Sequence, residues 1–172
     1  MFAKLTQGMR DMATLKTLCE TAERYALADH QAAPGAEHFV LASFDLPDGS
    51  AIRALERLGV TAAEFQTGLA AQYRAALSAA GVGTEQIDAA EHGVPPLPPG
   101  QGVYRAAPSG QALIQGLAAL RRRGITGPLV GVHVLDVAVT MQHPITDRAF
   151  KALGRDPATV AAAVRAEMTL AA

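Results

Sequence analysis

Two stretches of this sequence follow the same plan and decide the fold. Residues 35–65 read GAEHFVLASFDLPDGSAIRALERLGVTAAEF, and residues 131–160 read GVHVLDVAVTMQHPITDRAFKALGRDPATV. Each contains a His near its start, an apolar run, a turn, an Arg-Ala pair, a Leu-Gly pair and a helix-start signal. His133 follows His38 by 95 residues, and at this one offset the Arg-Ala and Leu-Gly pairs coincide without gaps. Such self-similarity indicates an internal repeat.

The signals that begin and end helices recur at the same offset. Gly59 and Gly154 each follow a Leu, as expected of a glycine just beyond the end of a helix. Two residues later, Thr61-Ala-Ala-Glu64 has the pattern of a capping box, and Asp156-Pro157 that of an N-cap followed by proline at the first helical position. Different residues are thus predicted to cap a helix N-terminus at the same place in each stretch.

The apolar spacing predicts four helices in each half. Residues 6–28 have the i, i+3, i+4 pattern of an amphipathic helix. Short helices are predicted at 39–44 and 50–58, and a long one from Thr61 onward. Helices at 109–123, 129–141, 146–153 and from Pro157 repeat the series. The predicted core stripe of the first helix consists of Met9, Met12, Leu15, Leu18, Ala22 and Tyr25.

One segment carries conflicting signals. Residues 129–141 are rich in valine, which by propensity alone favours a β-strand. The repeat offset places this segment on the predicted second helix of the first half, so we interpret it as a helix. The sequence therefore predicts a single all-α domain, 1–172, with eight helices in two pseudo-symmetric four-helix repeats. Repeat one spans 1–80, a Pro- and Gly-rich linker spans 81–107, and repeat two spans 108–172.

The composition excludes several function classes. The chain of 172 residues is 49% hydrophobic and 18% charged, which is typical of a globular protein. Its net charge of −1 argues against binding to nucleic acid or to anionic lipid. Cys19 is the only cysteine, and no apolar run is long enough to span a membrane. We therefore expect a cytoplasmic protein.

No motif predicts catalysis. The sequence lacks a Gly-rich loop followed by Lys-Ser/Thr and lacks a Gly-x-Ser-x-Gly elbow. The five histidines have no metal-ligand spacing, and we interpret His38 and His133 as structural residues at the start of the second helix of each repeat. The sequence predicts no metal, no cofactor and no enzymatic activity.

The doubled unit resembles the N-terminal domain of the Clp ATPases, the Clp repeat family. MFAKLT at the start is similar to the family's Met-Phe-x-x-Phe-Thr, and AEHFVLASF is similar to its Thr-Glu-His-Ile-Leu-Leu-Gly-Leu. SAIRALERLGV resembles the Val-Ala-x-x-x-Leu-x-x-Leu-Gly-Val that ends the third helix. The resemblance covers the whole chain, although the ATPase modules that follow in the family have no counterpart within it. Repeat two is more divergent, with Val132 where the family has Glu.

The resemblance implies a function and a set of ligand-binding residues. In the family the domain binds protein substrates, adaptors, cyclic-peptide antibiotics and, in some members, phosphorylated arginine. The resemblance implies that Glu37 forms an ion pair with a guanidinium group, that Thr6 binds the phosphate, and that Phe2 anchors an apolar ligand. Tyr104 is expected to face Phe2, and Gln111 occupies a position where the family often has Lys.

Three interpretations follow. The first is a non-enzymatic binding module that acts as an accessory or decoy for peptides, substrates or adaptors of the Clp system. The second is a protein that sequesters small molecules in a groove between the repeats. The third is an enzyme on a helical scaffold, for which the sequence offers no catalytic motif.

Overall fold

The structure is a computed structural model that describes residues 2–100 and 104–171. Over these residues the chain is all-α, which confirms the predicted fold class. The helices, in chain order, are α1 (Phe2–Ala28), α2 (Ala36–Phe44), α3 (Ser50–Arg57), α4 (Ala62–Ala79), α5 (Thr84–Gly93), α6 (Pro108–Arg122), α7 (Gly131–Thr140), α8 (Pro144–Ala152) and α9 (Pro157–Ala171).

The prediction of eight helices is wrong by one, because α5 lies inside the predicted linker. The Gln86 side chain accepts a hydrogen bond from the Gly83 N–H and so caps the first turn of this helix. Ile87 is 3% exposed, so burial of this side chain also holds the helix to the rest of the domain. Residues 94–100, which contain four prolines, have no regular secondary structure, as proline requires.

The valine-rich segment is a helix, as the repeat predicted. Seven of the ten residues of α7 are buried, and the helix packs against α2, α3, α6 and α9. Intrinsic strand propensity mainly reflects how branched side chains pack on a half-buried surface. Here those side chains pack against helices instead, so the tertiary contacts override the local preference.

The helix bounds recur at the predicted offset. α2 and α7 begin 95 residues apart, as do α4 and α9. Gly59 and Gly154 have φ angles of 61° and 72°, and each is preceded by a helix that ends in the same pair of backbone hydrogen bonds. The Thr61 and Asp156 side chains cap α4 and α9. These local features accord with two equivalent units, and the two-fold relation between the units stays a prediction.

The core forms where α2 and α7 cross at the centre of the domain. All nine residues of α2 are buried, and Phe65 packs against Phe44 and Phe150 with ring centroids 5.6 Å and 4.8 Å apart. Glu167, which is 1% exposed, accepts hydrogen bonds from Arg53 and Arg57 and so ties α9 to α3.

The predicted core stripe of α1 is wrong in its first half. Leu18 and Ala22 are fully buried, but Met9 is 72% exposed and Met12 is 69% exposed. The first half of α1 is instead held through polar contacts on another face. Asp11 accepts hydrogen bonds from Arg121 at 2.6 Å and from the Leu129 N–H at 2.8 Å.

Among the described residues, no helix combines the length and the apolar character needed to cross a bilayer.

Candidate functional site

Glu37 stands in the first turn of α2, where a carboxylate is favoured by the helix dipole. Its side chain is not displayed to solvent, because the residue is only 3% exposed. The carboxylate folds back over Gly35, where a Cβ atom would lie 2.6 Å from both of its oxygens. The absence of a side chain at Gly35 therefore leaves room for the carboxylate in this position.

A chain of polar contacts runs from α4 to α8 through Glu37. The Tyr73 hydroxyl donates a hydrogen bond to Glu37 Oε1 at 3.0 Å. Glu37 Oε2 lies 3.5 Å from Nε2 of His143, the N-cap residue of α8, and has no closer polar partner among the described residues. Nδ1 of His143 lies 3.1 Å from Thr146 Oγ1. One consistent assignment has Thr146 donating to Nδ1 and the His143 Nε2–H directed at the carboxylate.

Burial controls the protonation of this cluster. Desolvation lowers the pKa of His143 below its usual value, although the nearby Glu37 carboxylate acts in the opposite direction. Desolvation, reinforced by the same carboxylate, raises the pKa of the Tyr73 phenol far above its usual range. The cluster therefore presents a neutral imidazole and a neutral phenol to the carboxylate near neutral pH.

His38 and His133 have equivalent local roles. Nδ1 of His38 accepts a hydrogen bond from the Gly35 N–H at 2.9 Å, and Nδ1 of His133 accepts one from the Val130 N–H at 3.0 Å. Each ring satisfies a backbone donor that its helix leaves unpaired at the N-terminus. The prediction that these histidines are structural agrees with this geometry, and desolvation lowers the pKa of His133.

The other sequence-predicted site residues lie on different elements. Thr6 is exposed on the first turns of α1, and the side chain of Phe2 lies outside the described residues. Tyr104 is 39% exposed and lies beside Cys19. Partial burial, and to a lesser extent the nearby thiol, raise the pKa of the Tyr104 phenol. Gln111 donates a hydrogen bond to the Ala106 carbonyl oxygen at 2.8 Å, which fixes it to its own segment. Glu37 makes its contacts with Tyr73 and His143, not with this group.

The exposed part of α1 carries an apolar stripe that sequence reasoning placed in the core. Met9 and Met12 lie on one face of the helix, which we call the α1 stripe. Gln7 and Asp11 lie on the opposite face, which contacts Gly127, Arg121 and Leu129. The stripe is therefore turned away from the domain.

A cavity of about 770 Å³ lies within repeat two, between the end of α7, α8 and the start of α9. Its accessible lining is mostly apolar and includes Val139, Phe150 and Val160. The polar and charged residues of the lining are Thr140, Gln142, His143, Thr146, Asp147, Arg148 and Lys151. The sequence analysis did not predict this cavity, because an opening of this kind depends on which side chains meet in three dimensions.

Among the residues that the structure describes, no three His, Cys, Asp or Glu side chains are grouped so that they could hold a metal ion. No family model matches the chain, and no curated protein matches it either.

Proposed function

We propose that this protein is a binding module of the kind found at the N-terminus of the Clp ATPases, and that it binds apolar segments of other proteins on the α1 stripe. The observation that carries the proposal is the exposure of Met9 and Met12 on a helix whose opposite face is already docked. Exposed apolar surface on one helix face is characteristic of sites that bind protein partners.

The stripe has the chemistry of an adaptable recognition surface. Methionine is unbranched and polarisable, so it fits apolar partners of varied shape. Phe2, which the family resemblance predicts as the anchor, precedes Met9 by two helical turns. An apolar segment lying along α1 can therefore contact Phe2, Met9 and Met12 in sequence. Lys16, one turn further along, is exposed and extends the same face with a cation.

The guanidinium-binding role of Glu37 is a separate part of the proposal. The carboxylate is buried and engaged by Tyr73 at 3.0 Å, so an incoming guanidinium would have to displace this phenol or His143. Titration of phosphoarginine into the wild type and Glu37→Gln tests this role. Binding that the substitution abolishes supports it, and equal binding or no binding to the wild type removes it.

The test of the main proposal uses an unfolded protein as the ligand. Fluorescently labelled, reduced and carboxymethylated α-lactalbumin is titrated with the wild type and with the double variant Met9→Ser/Met12→Ser, and anisotropy gives the dissociation constant. Burying a methionine side chain contributes about 1.5–3 kcal/mol when complete. With partial burial of two, we expect affinity to fall by at least tenfold, since about 1.4 kcal/mol corresponds to a factor of ten.

A matched control separates the α1 stripe from general surface hydrophobicity. Leu170 is 70% exposed on α9, so Leu170→Ser removes a comparable apolar side chain elsewhere. Its affinity should equal that of the wild type. Equal affinities for all three proteins, or no binding by the wild type, would refute the proposed function. Full-length Phe2→Ala, tested in the same way and with a Clp-directed cyclic peptide, examines the predicted anchor.

The sequestration of small molecules between the repeats is the alternative function. The cavity described above is lined by α7, α8 and α9, so it lies within repeat two. It is therefore not the groove between the repeats on which this alternative was based.

A further inference from the structure

Two side chains that line the cavity in repeat two are smaller than those found 95 positions earlier in the sequence. Val139 and Val160 line it, and the residues 95 positions earlier are Phe44 and Phe65. In repeat one these two rings pack edge to face with centroids 5.6 Å apart. The replacement of both phenylalanines by valine removes a large volume from the same place in repeat two. These two substitutions favour an opening at this place, although Phe150, which also lines the cavity, is larger than Leu55 at the position 95 residues earlier.

Several polar side chains in the cavity wall already contact groups of the protein. His143 has Thr146 at one ring nitrogen and Glu37 at the other. Asp147 at the rim pairs with Lys151, whose Nζ lies 2.6 Å from Oδ2. Because the accessible lining of the cavity is mostly apolar, it favours a ligand with an apolar body. The volume of about 770 Å³ falls in the range of about 300–1,000 Å³ that is typical of sites for small organic molecules.

One cation at the rim has no ion-pair partner among the residues that the structure describes. Arg148 is exposed, lines the cavity, and forms no ion pair with any residue that the structure describes. Its equivalent in repeat one, Arg53, donates a hydrogen bond to Glu167 at 2.6 Å. The residue that stands 95 positions before Glu167 is Gln72 on α4, so repeat one offers Arg148 no carboxylate at the corresponding place. The difference between Glu167 and Gln72 therefore leaves a positive charge at the edge of the cavity.

We propose that this cavity binds a small amphiphilic anion, an organic molecule with an apolar body and one negatively charged group. The apolar body occupies the space between Val139, Phe150 and Val160, and the anionic group lies at the rim beside Arg148. α1 is not among the elements that line the cavity, so this site is independent of the α1 stripe and of the function proposed for it.

The test compares two fluorescent probes of similar shape. 1-Anilinonaphthalene-8-sulfonate carries the anionic group, and N-phenyl-1-naphthylamine is its neutral counterpart. Each is titrated into the wild type, and the fluorescence increase gives the dissociation constant. Val139→Phe restores the ring that repeat one carries at this position, and we expect it to weaken both probes at least tenfold. Thermal unfolding of this variant is measured alongside.

A second filling variant guards against misfolding. Ala158 is exposed at the start of α9 and lines the cavity, so Ala158→Phe fills the space from the surface without disturbing the core. Because an exposed ion pair contributes modestly, we expect Arg148→Gln to weaken the anionic probe about threefold and to leave the neutral probe unchanged. Arg122→Gln, at an exposed arginine on α6, is the matched charge control and should change neither.

Each result supports or overturns one element of the proposal. Unchanged binding of the anionic probe to both filling variants would place the probe elsewhere and overturn the site. Equal effects of Arg148→Gln and Arg122→Gln, or equal affinities for the two probes, would overturn the preference for an anion. Met9→Ser/Met12→Ser should bind both probes as the wild type does. Loss of probe binding in that variant would locate the probe on the α1 stripe and refute the cavity site.

Discussion

Replacement of Gly110 by alanine should destabilise the protein, whereas the same replacement at Gly8 should stabilise it. Both glycines lie inside helices, where alanine is intrinsically preferred by about 0.5–1 kcal/mol. At Gly8 an added Cβ meets nothing within 4 Å, so the helix preference should appear in full. At Gly110 the added Cβ would lie 2.4 Å from the Pro34 carbonyl oxygen and 3.0 Å from Phe39 Cε2.

The size of the loss at Gly110 follows from what must move. Pro34 O is backbone and accepts a hydrogen bond from the Ala107 N–H at 3.0 Å, so it cannot rotate away as a side chain would. Overpacking costs about 1–3 kcal/mol, and weakening a hydrogen bond of this kind adds about 0.5–1.5 kcal/mol. After subtraction of the helix preference, Gly110→Ala should lose about 2 kcal/mol of unfolding free energy. The clash falls at the entrance of α2, which positions Glu37.

Urea unfolding at 25 °C, followed by circular dichroism at the helix band, measures both variants against the wild type. The predicted losses and gains correspond to a Tm lower by about 4–8 °C for Gly110→Ala and higher by about 1–4 °C for Gly8→Ala. If Gly110→Ala unfolds within about 0.5 kcal/mol of the wild type, α6 does not approach the segment before α2 as closely as the structure shows. A loss at Gly8 would mean that the first turns of α1 are not helical in solution.

The remaining predictions concern the core, the pH dependence and the linker. Leu58→Ala should lower the free energy of unfolding by about 2–4 kcal/mol, because Leu58 is only 6% exposed. Leu153 is half-buried, so Leu153→Ala should lower it by about half as much. Equal losses for the two variants in urea unfolding would contradict this ranking. Desolvation holds the pKa of His133 and of His143 below 6.5 in the folded state, so the unfolded chain takes up protons first and stability should fall as the pH drops below about 6.5. Unfolding free energies at pH 7.5 and 5.5 should therefore differ less in His143→Gln than in the wild type, and an unchanged difference would remove His143 as a contributor. Trypsin should cut the native chain early after Arg105, which is exposed outside the helices, and mass spectrometry that finds this bond resistant would mean that the hydrogen bond from the Ala107 N–H to Pro34 O keeps the segment closed to the protease.

Local chemistry determined the helix ends, and the sequence alone identified them. The Thr61 hydroxyl accepts a hydrogen bond from the Glu64 N–H, and the Asp156 carboxylate accepts two from the first turn of α9, as predicted. Gly59 and Gly154 both adopt the left-handed conformation that their place after a helix requires. These contacts join residues two to five positions apart, so they need no knowledge of the rest of the chain.

The sequence could not determine which apolar positions become buried. The i, i+3, i+4 spacing placed Met9 and Met12 on a common face, and it did so correctly. Whether another element covers that face depends on how far the packed helices extend along α1. The contacts of Asp11 with Arg121 and Leu129, more than one hundred residues away, turn the methionines outward. No pattern in the first 28 residues encodes a contact of that range.

The same limit applies to the candidate sites. The resemblance to the Clp repeat family drew attention to Glu37, but only the tertiary structure brings Tyr73 and His143 to its carboxylate and buries it. The repeat could be read from the sequence, and so could the replacement of Phe44 and Phe65 by valines. That these replacements leave an open cavity, and are not compensated by neighbouring side chains, was decided by packing. Spacing along the chain specifies the faces of helices, whereas the volumes and partners at those faces depend on residues that only folding brings together.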